Sequence, residues 1–443
     1  MAVQNGSSNG NSSSKRTPRY GASQIGVFDL VPKLGYREYW YPGIIDKDVG
    51  KKPISLKMLG EDVVFFRDSK GKVAALSDYC PHRGARLSGG WRRTAGGGPA
   101  AGKLNNEFKG FITCPYHGFT FDGEGQCVAA LTDGPESRLQ PVLKAPHYPT
   151  ITHNGIVFVW MGQTDPVPLA EDIPSYFFDD DVITETYIRL WDLNWTLTIE
   201  NSHDSHAVKI HRGSIRRFFN RGLFRYSPGY HGAMKIAKET DQFIHITSAE
   251  SARAPQSSYY EGIGAKWPKH VWWRRAPRPS SHGARKQFDA DRPGYTGLYQ
   301  LPAWVSPSGS GDRCHLRMAV PIDELSSRMW TFTLTRKSFW KGWRRLWWKV
   351  LYHTSHLYQL PQGTNELEDM PIQAVGALDP DMPQKVGASD VGIIAWRRRM
   401  PLKSRDAQRL WGSIRSDVEK AVGDAEKLEA NDPDWQEFET PAG

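Results

Sequence analysis

Cys80-Pro81-His82-Arg83-Gly84 and Cys114-Pro115-Tyr116-His117-Gly118 are the two stretches from which the rest of this chain can be read. Each offers a thiolate and an imidazole, spaced C-x-H in the first and C-x-x-H in the second. Two sulfurs and two nitrogens suffice to hold a metal centre. Two chemistries use that set: a [2Fe–2S] cluster in which two His replace two Cys on one iron, or a tetrahedral zinc. Pro after each Cys and Gly soon after each His point to two tight loops closing over a cluster, whereas zinc knuckles have longer, more polar ligand loops. The cluster is the leading expectation and zinc the alternative.

The paired loops resemble those of the Rieske non-haem iron oxygenases. The likeness runs from about Leu34 to about Met400 and is to the large (alpha) subunit, in the homotrimeric branch that includes carbazole dioxygenase and oxoquinoline monooxygenase. It implies an α+β chain: an all-β Rieske [2Fe–2S] domain holding Cys80, His82, Cys114 and His117, then a catalytic domain with an antiparallel sheet wrapped around helices. The expected division is a disordered tail over 1–25, the Rieske domain over 26–165, the catalytic domain over 166–430 and a short tail over 431–443.

Around the loops the text breaks into short β-type runs separated by turn residues: Asp62–Arg67, Val73–Ser77, Phe111–Cys114, Phe119–Asp122 and Ile156–Met161. Asp122-Gly123-Glu124-Gly125 reads as a turn. The aromatic segment Leu34–Pro42 reads as core packing. Between the two loops the spacer is longer than is usual in the family. It contains the low-complexity insertion 94–102, which a surface loop tolerates at little entropic cost. Further on, Gln242–Ser248, Leu316–Pro321 and Met329–Leu334 read as strands. Phe339–Tyr352 carries a helical apolar stripe at Phe339, Trp343, Leu346, Trp347 and Val350, expected to pack on the core, with a docking or membrane-contact surface as the sharper reading. Lys266–Lys286, with Trp272-Trp273-Arg274-Arg275, is a second unusual stretch. The charged segment from about Asp406 reads as a helix with no assigned role.

Asn194-Trp195 through Glu200-Asn201-Ser202-His203-Asp204-Ser205-His206 to His211 resembles the family signature N-W…E-N-x-x-D…H-x-x-x-x-H. The resemblance makes His206 and His211 ligands of a mononuclear Fe(II). Asp369 would be the third, with Glu366 and Glu368 as alternatives, leaving positions open for O2. Five residues along a straight α-helix are about 7.5 Å and about 140° apart, so an irregularity of π type is expected between His206 and His211. In the relatives the bridging Asp stands three residues before the first ligand His. Here Asp204 stands two before His206, and His203 is the reserve ligand. By the same likeness Asp204 hydrogen-bonds a ligand His and links the two metals across subunits, with Asn201 beside it, which requires an oligomer, most simply a trimer. Ser389-Asp390 through Trp396-Arg397-Arg398 resembles the family's C-terminal segment.

Composition sets the outer limits. A chain of 443 residues is long enough for two or three cores. Only four Cys occur, and two are spoken for, so no disulfide framework is expected and the cytoplasm is the expected compartment. The N-terminal tail lacks an apolar signal region, and no apolar run is long enough to span a bilayer. A net charge of +9, without a recognised binding motif, does not read as a nucleic-acid protein. No G-x-G-x-x-G is present, so NAD(P)H is expected to act through a separate reductase, with or without a ferredoxin. The resemblance therefore implies a terminal oxygenase acting on an aromatic or heterocyclic compound by dihydroxylation. Monooxygenation or oxidative demethylation are alternatives within the family; a cluster-only electron carrier and a zinc-stabilised binding module are the alternatives outside it.

Overall fold

The computed structural model describes residues 23–24, 30–50, 52–91, 110–201, 234–241, 243–248, 297–310, 313–337, 342–343, 346, 350, 385–386 and 391–430. A two-residue strand β1 (Ser23–Gln24) pairs with a late one, Lys385–Val386. Three small antiparallel sheets follow. β3 (Ile54–Met58), β4 (Glu61–Arg67), β5 (Val73–Ser77) and β9 (His147–Tyr148) form one, in that order. β6 (Ile112–Thr113), β7 (Phe119–Phe121) and β8 (Cys127–Ala130) form the second. β2 (Trp40–Ile45) lies beside β11 (Ile156–Trp160), which pairs in turn with β10 (Thr150–His153).

The β-type runs expected here are strands: β5 keeps its expected bounds, β4 begins one residue earlier, and β6, β7 and β11 are one or two residues shorter. β8 is an addition: Asp122 Oδ1 accepts from the amides of Glu124 and Gln126 (both 2.9 Å), and this turn leads from β7 into β8. The aromatic segment is core, as expected: Tyr36, Tyr39, Trp40 and Tyr41 are all buried. Trp40 meets Trp160 edge-on at 5.6 Å. Burying one such ring stabilises the fold by about 1.5–3 kcal/mol.

The second half is built on a seven-stranded antiparallel sheet. Its spatial order is β12 (Val182–Trp191), β18 (Ser327–Arg336), β17 (Arg313–Pro321), β16 (Trp304–Ser310), β15 (Gly297–Gln300), β14 (Phe243–Ser248) and β13 (Met234–Glu239). Three of these strands coincide with the expected ones; β12, β13, β15 and β16 lack a clean two-residue alternation of apolar side chains. Helices α1 (Leu169–Asp172), α2 (Trp195–Asn201), α3 (Val391–Lys403), α4 (Arg405–Trp411) and α5 (Arg415–Ala430) complete the described chain. The expected C-terminal helix is thus two, α4 and α5. Tyr299 ties α2 and α3 to one face of the sheet: its hydroxyl donates to the Ile199 carbonyl (3.4 Å) and its ring stacks on Trp396 at 5.7 Å.

One apolar core runs from Tyr41, Phe65 and Trp160 through Trp195 to Trp304, Trp330 and Phe332. A second, smaller one encloses Cys80, Cys114, Phe119 and Cys127. Among the described residues no helix is long and apolar enough to cross a membrane. The stripe expected to pack on the core departs from expectation. Trp343, Leu346 and Val350 are helical but exposed, Trp343 by 74%, so at these positions the apolar face looks outward. The insertion 94–102 and the stretch 266–286 lie outside the described residues.

Candidate metal centre

The two ligand loops are copies of one another in backbone. In the first, the Cys80 amide donates to the Ala85 carbonyl (2.8 Å) and the Gly84 amide returns to the Cys80 carbonyl (2.9 Å). In the second, Cys114 donates to Phe119 (2.8 Å) and Gly118 to Cys114 (3.1 Å). Gly84 and Gly118 take φ of 73° and 71°, the left-handed region a tight return requires. Each sulfur receives two amides from its own loop, His82 and Arg83 on Cys80, Tyr116 and His117 on Cys114. Pro fills the position between, where no N–H is needed. Amides aimed at a sulfur favour the thiolate, the form that binds metal.

The side chains converge. Cys80 and Cys114 are buried, unbridged and hydrogen-bonded to each other. That bond pulls the Cys114 thiol down and, with burial, pushes Cys80 up. The His82 and His117 rings lie 4.8 Å apart at 71°. Both Nδ1 atoms are buried and have no hydrogen-bond partner among the described residues. A buried imidazole nitrogen without a partner is costly unless something absent from the protein atoms completes it. Two sulfurs and two such nitrogens fit a [2Fe–2S] cluster ligated by Cys80, Cys114, His82 and His117.

Neighbouring groups hold the loops. Phe119 meets the His82 ring edge-on at 4.8 Å, and Tyr116 lies against His117 at 3.8 Å. The Thr132 hydroxyl donates to the His117 carbonyl (2.8 Å). The sequence reading missed Thr132, since a lone hydroxyl forms no pattern.

The second set of candidates is only partly in view. His203, Asp204, His206, His211, Glu366, Glu368 and Asp369 lie outside the described residues, as does the irregularity expected between His206 and His211. What is described is the run-up. The Asn194 side-chain oxygen accepts from the Thr196 amide (3.0 Å), capping α2, while its amide group donates to the Lys33 and Glu324 carbonyls (3.1 and 2.8 Å). Trp195 is fully buried, with its indole N–H on the Pro32 and Lys33 carbonyls. The N-W pair thus starts and anchors the helix that ends at Asn201. One residue earlier, Glu200 is buried and ion-paired to Arg397 of α3, which joins the two segments that carry the later resemblance.

A model of the Rieske [2Fe–2S] domain matches residues 39–144, and one described as a homotrimeric ring hydroxylase matches residues 160–254. The terminal oxygenase component of carbazole 1,9a-dioxygenase from Sphingomonas sp is 34% identical over 302 residues, 66% of this chain and 71% of that one. The chain belongs to the Rieske non-haem iron oxygenases. Within that family it falls in the homotrimeric branch. The corresponding component from Metapseudomonas resinovorans is 35% identical over 184 residues, 41% of this chain but only 44% of the relative's own length. A solved reduced complex between oxygenase and ferredoxin in carbazole 1,9a-dioxygenase shares the fold, with a TM-score of 0.58 and 22% identity over 86% of this chain and 93% of that one.

Proposed function

We propose that this Rieske oxygenase is the terminal component of a multicomponent system that uses O2 and electrons from NAD(P)H to dihydroxylate an aromatic or heterocyclic substrate. Monooxygenation or demethylation of such a substrate is the second reading, because fold and metal set do not fix the outcome. The observation that carries the proposal is a pair of buried, unpartnered His Nδ1 atoms, on rings 4.8 Å apart, in the same two loops whose thiols hydrogen-bond to each other, in a chain that also bears the N-W…E-N signature on a capped helix. When bound, the cluster would supply one-electron transfer. Around it, the protein's own part is to present two sulfurs as thiolates, fix two ring orientations and keep Cys80 and Cys114 out of water.

His206, His211 and Asp369 are the residues we assign to a mononuclear Fe(II), with Asp204 and Asn201 beside them. A ferredoxin or reductase is the assigned donor, a cyclic trimer the assembly and the cytoplasm the compartment. The assigned domains are 26–165 and 166–430, between tails 1–25 and 431–443. The family match supports the mononuclear iron, the homotrimeric description of residues 160–254 the trimer, and the oxygenase–ferredoxin complex of a relative the donor. The test is chemical. Purified chain should show the visible absorption of a [2Fe–2S] cluster and more iron than acid-labile sulfide. With a surrogate reductase and ferredoxin it should oxygenate carbazole or another member of a panel of fused aromatics. A colourless preparation with zinc as its metal would sink the proposal.

A further inference from the structure

The two ligand loops match in backbone, but their stems do not. Cys114–Gly118 sits on a hairpin in which Ile112 faces Phe121, Thr113 faces Thr120, and the two threonine hydroxyls hydrogen-bond at 3.0 Å. Cys80–Gly84 has only an isolated bridge, between Tyr79 and Arg86. Two strand arms held by one bridge close a loop weakly, since most of the closure entropy is unopposed.

Asp78 stands at the base of this shorter stem. Its amide donates to the Asp62 carbonyl and its carbonyl accepts from the Leu87 amide, both at 2.8 Å. Its carboxylate is fully buried. It accepts from the Ser88 amide (2.7 Å), the Ser88 hydroxyl (2.7 Å), the Ser55 hydroxyl (2.8 Å) and Arg86 Nη1 (3.2 Å). On the outer side Arg86 Nη2 reaches Asp62 Oδ2 (2.9 Å) and the Tyr79 hydroxyl (3.0 Å), which itself donates to Asp62 (2.7 Å). The residues on either side of the loop, 78–79 and 86–88, are therefore drawn together by one buried carboxylate and one guanidinium. Charge-assisted bonds of this kind are about twice as strong as neutral ones.

We infer that Asp78 and Arg86 are positioning residues for the cluster, a side-chain clasp that does for the first loop what the hairpin does for the second. The inference rests on the cluster reading above. Neither residue touches the metal; they act by keeping the Cys80 sulfur and His82 Nδ1 aimed at the centre. An amide in place of the Asp78 carboxylate has one accepting oxygen instead of two, so it leaves part of this ring of donors unpaired.

The experiment compares full-length wild type with Asp78→Asn, Arg86→Met and Arg86→Lys. Three things are measured: iron and acid-labile sulfide per chain, the rate at which a chelator bleaches the cluster's visible band, and the unfolding temperature. Groups that orient metal ligands typically change metal retention about 10–100-fold, so Asp78→Asn should bleach at least about tenfold faster than wild type. Arg86→Met should bleach faster as well, with the unfolding temperature lowered less than in Asp78→Asn, because Arg86 is half exposed and Asp78 keeps the Ser88 amide and the Ser88 and Ser55 hydroxyls, and Arg86→Lys should recover part of the loss. A purely structural acid would lower the unfolding temperature without this lysine rescue of bleaching. Wild-type bleaching rates in both Asp78→Asn and Arg86→Met overturn the clasp while leaving the cluster in place. Failure of Asp78→Asn to fold, with Arg86→Met bleaching as wild type does, overturns it too. Wild type without iron and sulfide overturns the cluster reading, and the clasp with it.

Discussion

Alanine at the two loop glycines should separate what backbone conformation costs from what space costs. Gly84 and Gly118 have nearly the same φ, 73° and 71°, so each Ala pays the same left-handed penalty, about 1–2 kcal/mol. Their surroundings differ. A Cβ on Gly84 meets nothing within 4 Å, whereas one on Gly118 stands 2.7 Å from Leu131 Cβ and 3.1 Å from its Cγ and Cδ1. Leu131 cannot simply retreat, because its amide donates to the Gly118 carbonyl at 3.2 Å. Overpacking of that kind costs about 1–3 kcal/mol more, which is about 5- to 150-fold in the equilibrium for opening the loop. The assay is guanidinium titration of the full-length protein, following loss of the visible band of the cluster. Gly84→Ala should lower the midpoint modestly and Gly118→Ala clearly further. Equal midpoints, or the reverse order, would refute the claim that Leu131 closes the space above the second loop.

Arg397→Met should take from the buried Glu200 carboxylate its Arg397 ion pair and destabilise the fold, read by calorimetry as a lower unfolding temperature, with the double substitution Glu200→Gln/Arg397→Met recovering part of the loss. Burial holds the Asp406 carboxyl above the ordinary carboxylate range, despite the amides of Arg37 and Glu38 that it accepts. Its folded pKa thus exceeds its unfolded one, so its contribution is fully present below the unfolded value, about 4, and is lost as pH rises through the folded value. The difference in unfolding temperature between wild type and Asp406→Asn should therefore drift against wild type as pH rises across that window; a difference independent of pH would remove the argument. His211→Ala should lower iron per chain while leaving acid-labile sulfide and the cluster band intact, and loss of the band instead would merge the two metal sites. Asp204→Asn should keep both metals and slow reoxidation of the reduced cluster by O2 in the presence of substrate; unaltered reoxidation would take Asp204 out of the electron path.

What the sequence made legible, and what it hid, follows from the range of the interactions. The ligand loops could be read because every determinant lies within six residues: Cys, Pro, His and the left-handed Gly act on one another locally. The strands beside them could be read because Val63–Phe66 and Val73–Leu76 are β-type runs between turn residues. The resemblance supplied the α+β class and the sheet domain, which periodicity alone did not give, since β12 alternates poorly along its ten residues. What stayed hidden is pairing at long range. Glu200 finds Arg397 across 197 residues and Asp406 finds the Arg37 amide across 369, and a lone acid carries no mark of the partner it will meet.

The C-terminal segment shows the consequence, having been read as a charged helix without a role. In the fold, α4 sets Arg405 against Asp172 and over the Tyr39 ring, Asp406 on two amides of the aromatic entry segment, and Arg409 on Glu38. Glu38 in turn holds the amides of Gln163 and Thr164. Charges that look like a solvated face in sequence are thus what fixes the entry strand β2 to the chain that leads out of β11. Burying so many ionisable groups is tolerable only because each is met by an opposite charge or by backbone donors. The same rule explains Asp78: its buried carboxylate is met by the Ser88 amide, the Ser55 and Ser88 hydroxyls and Arg86.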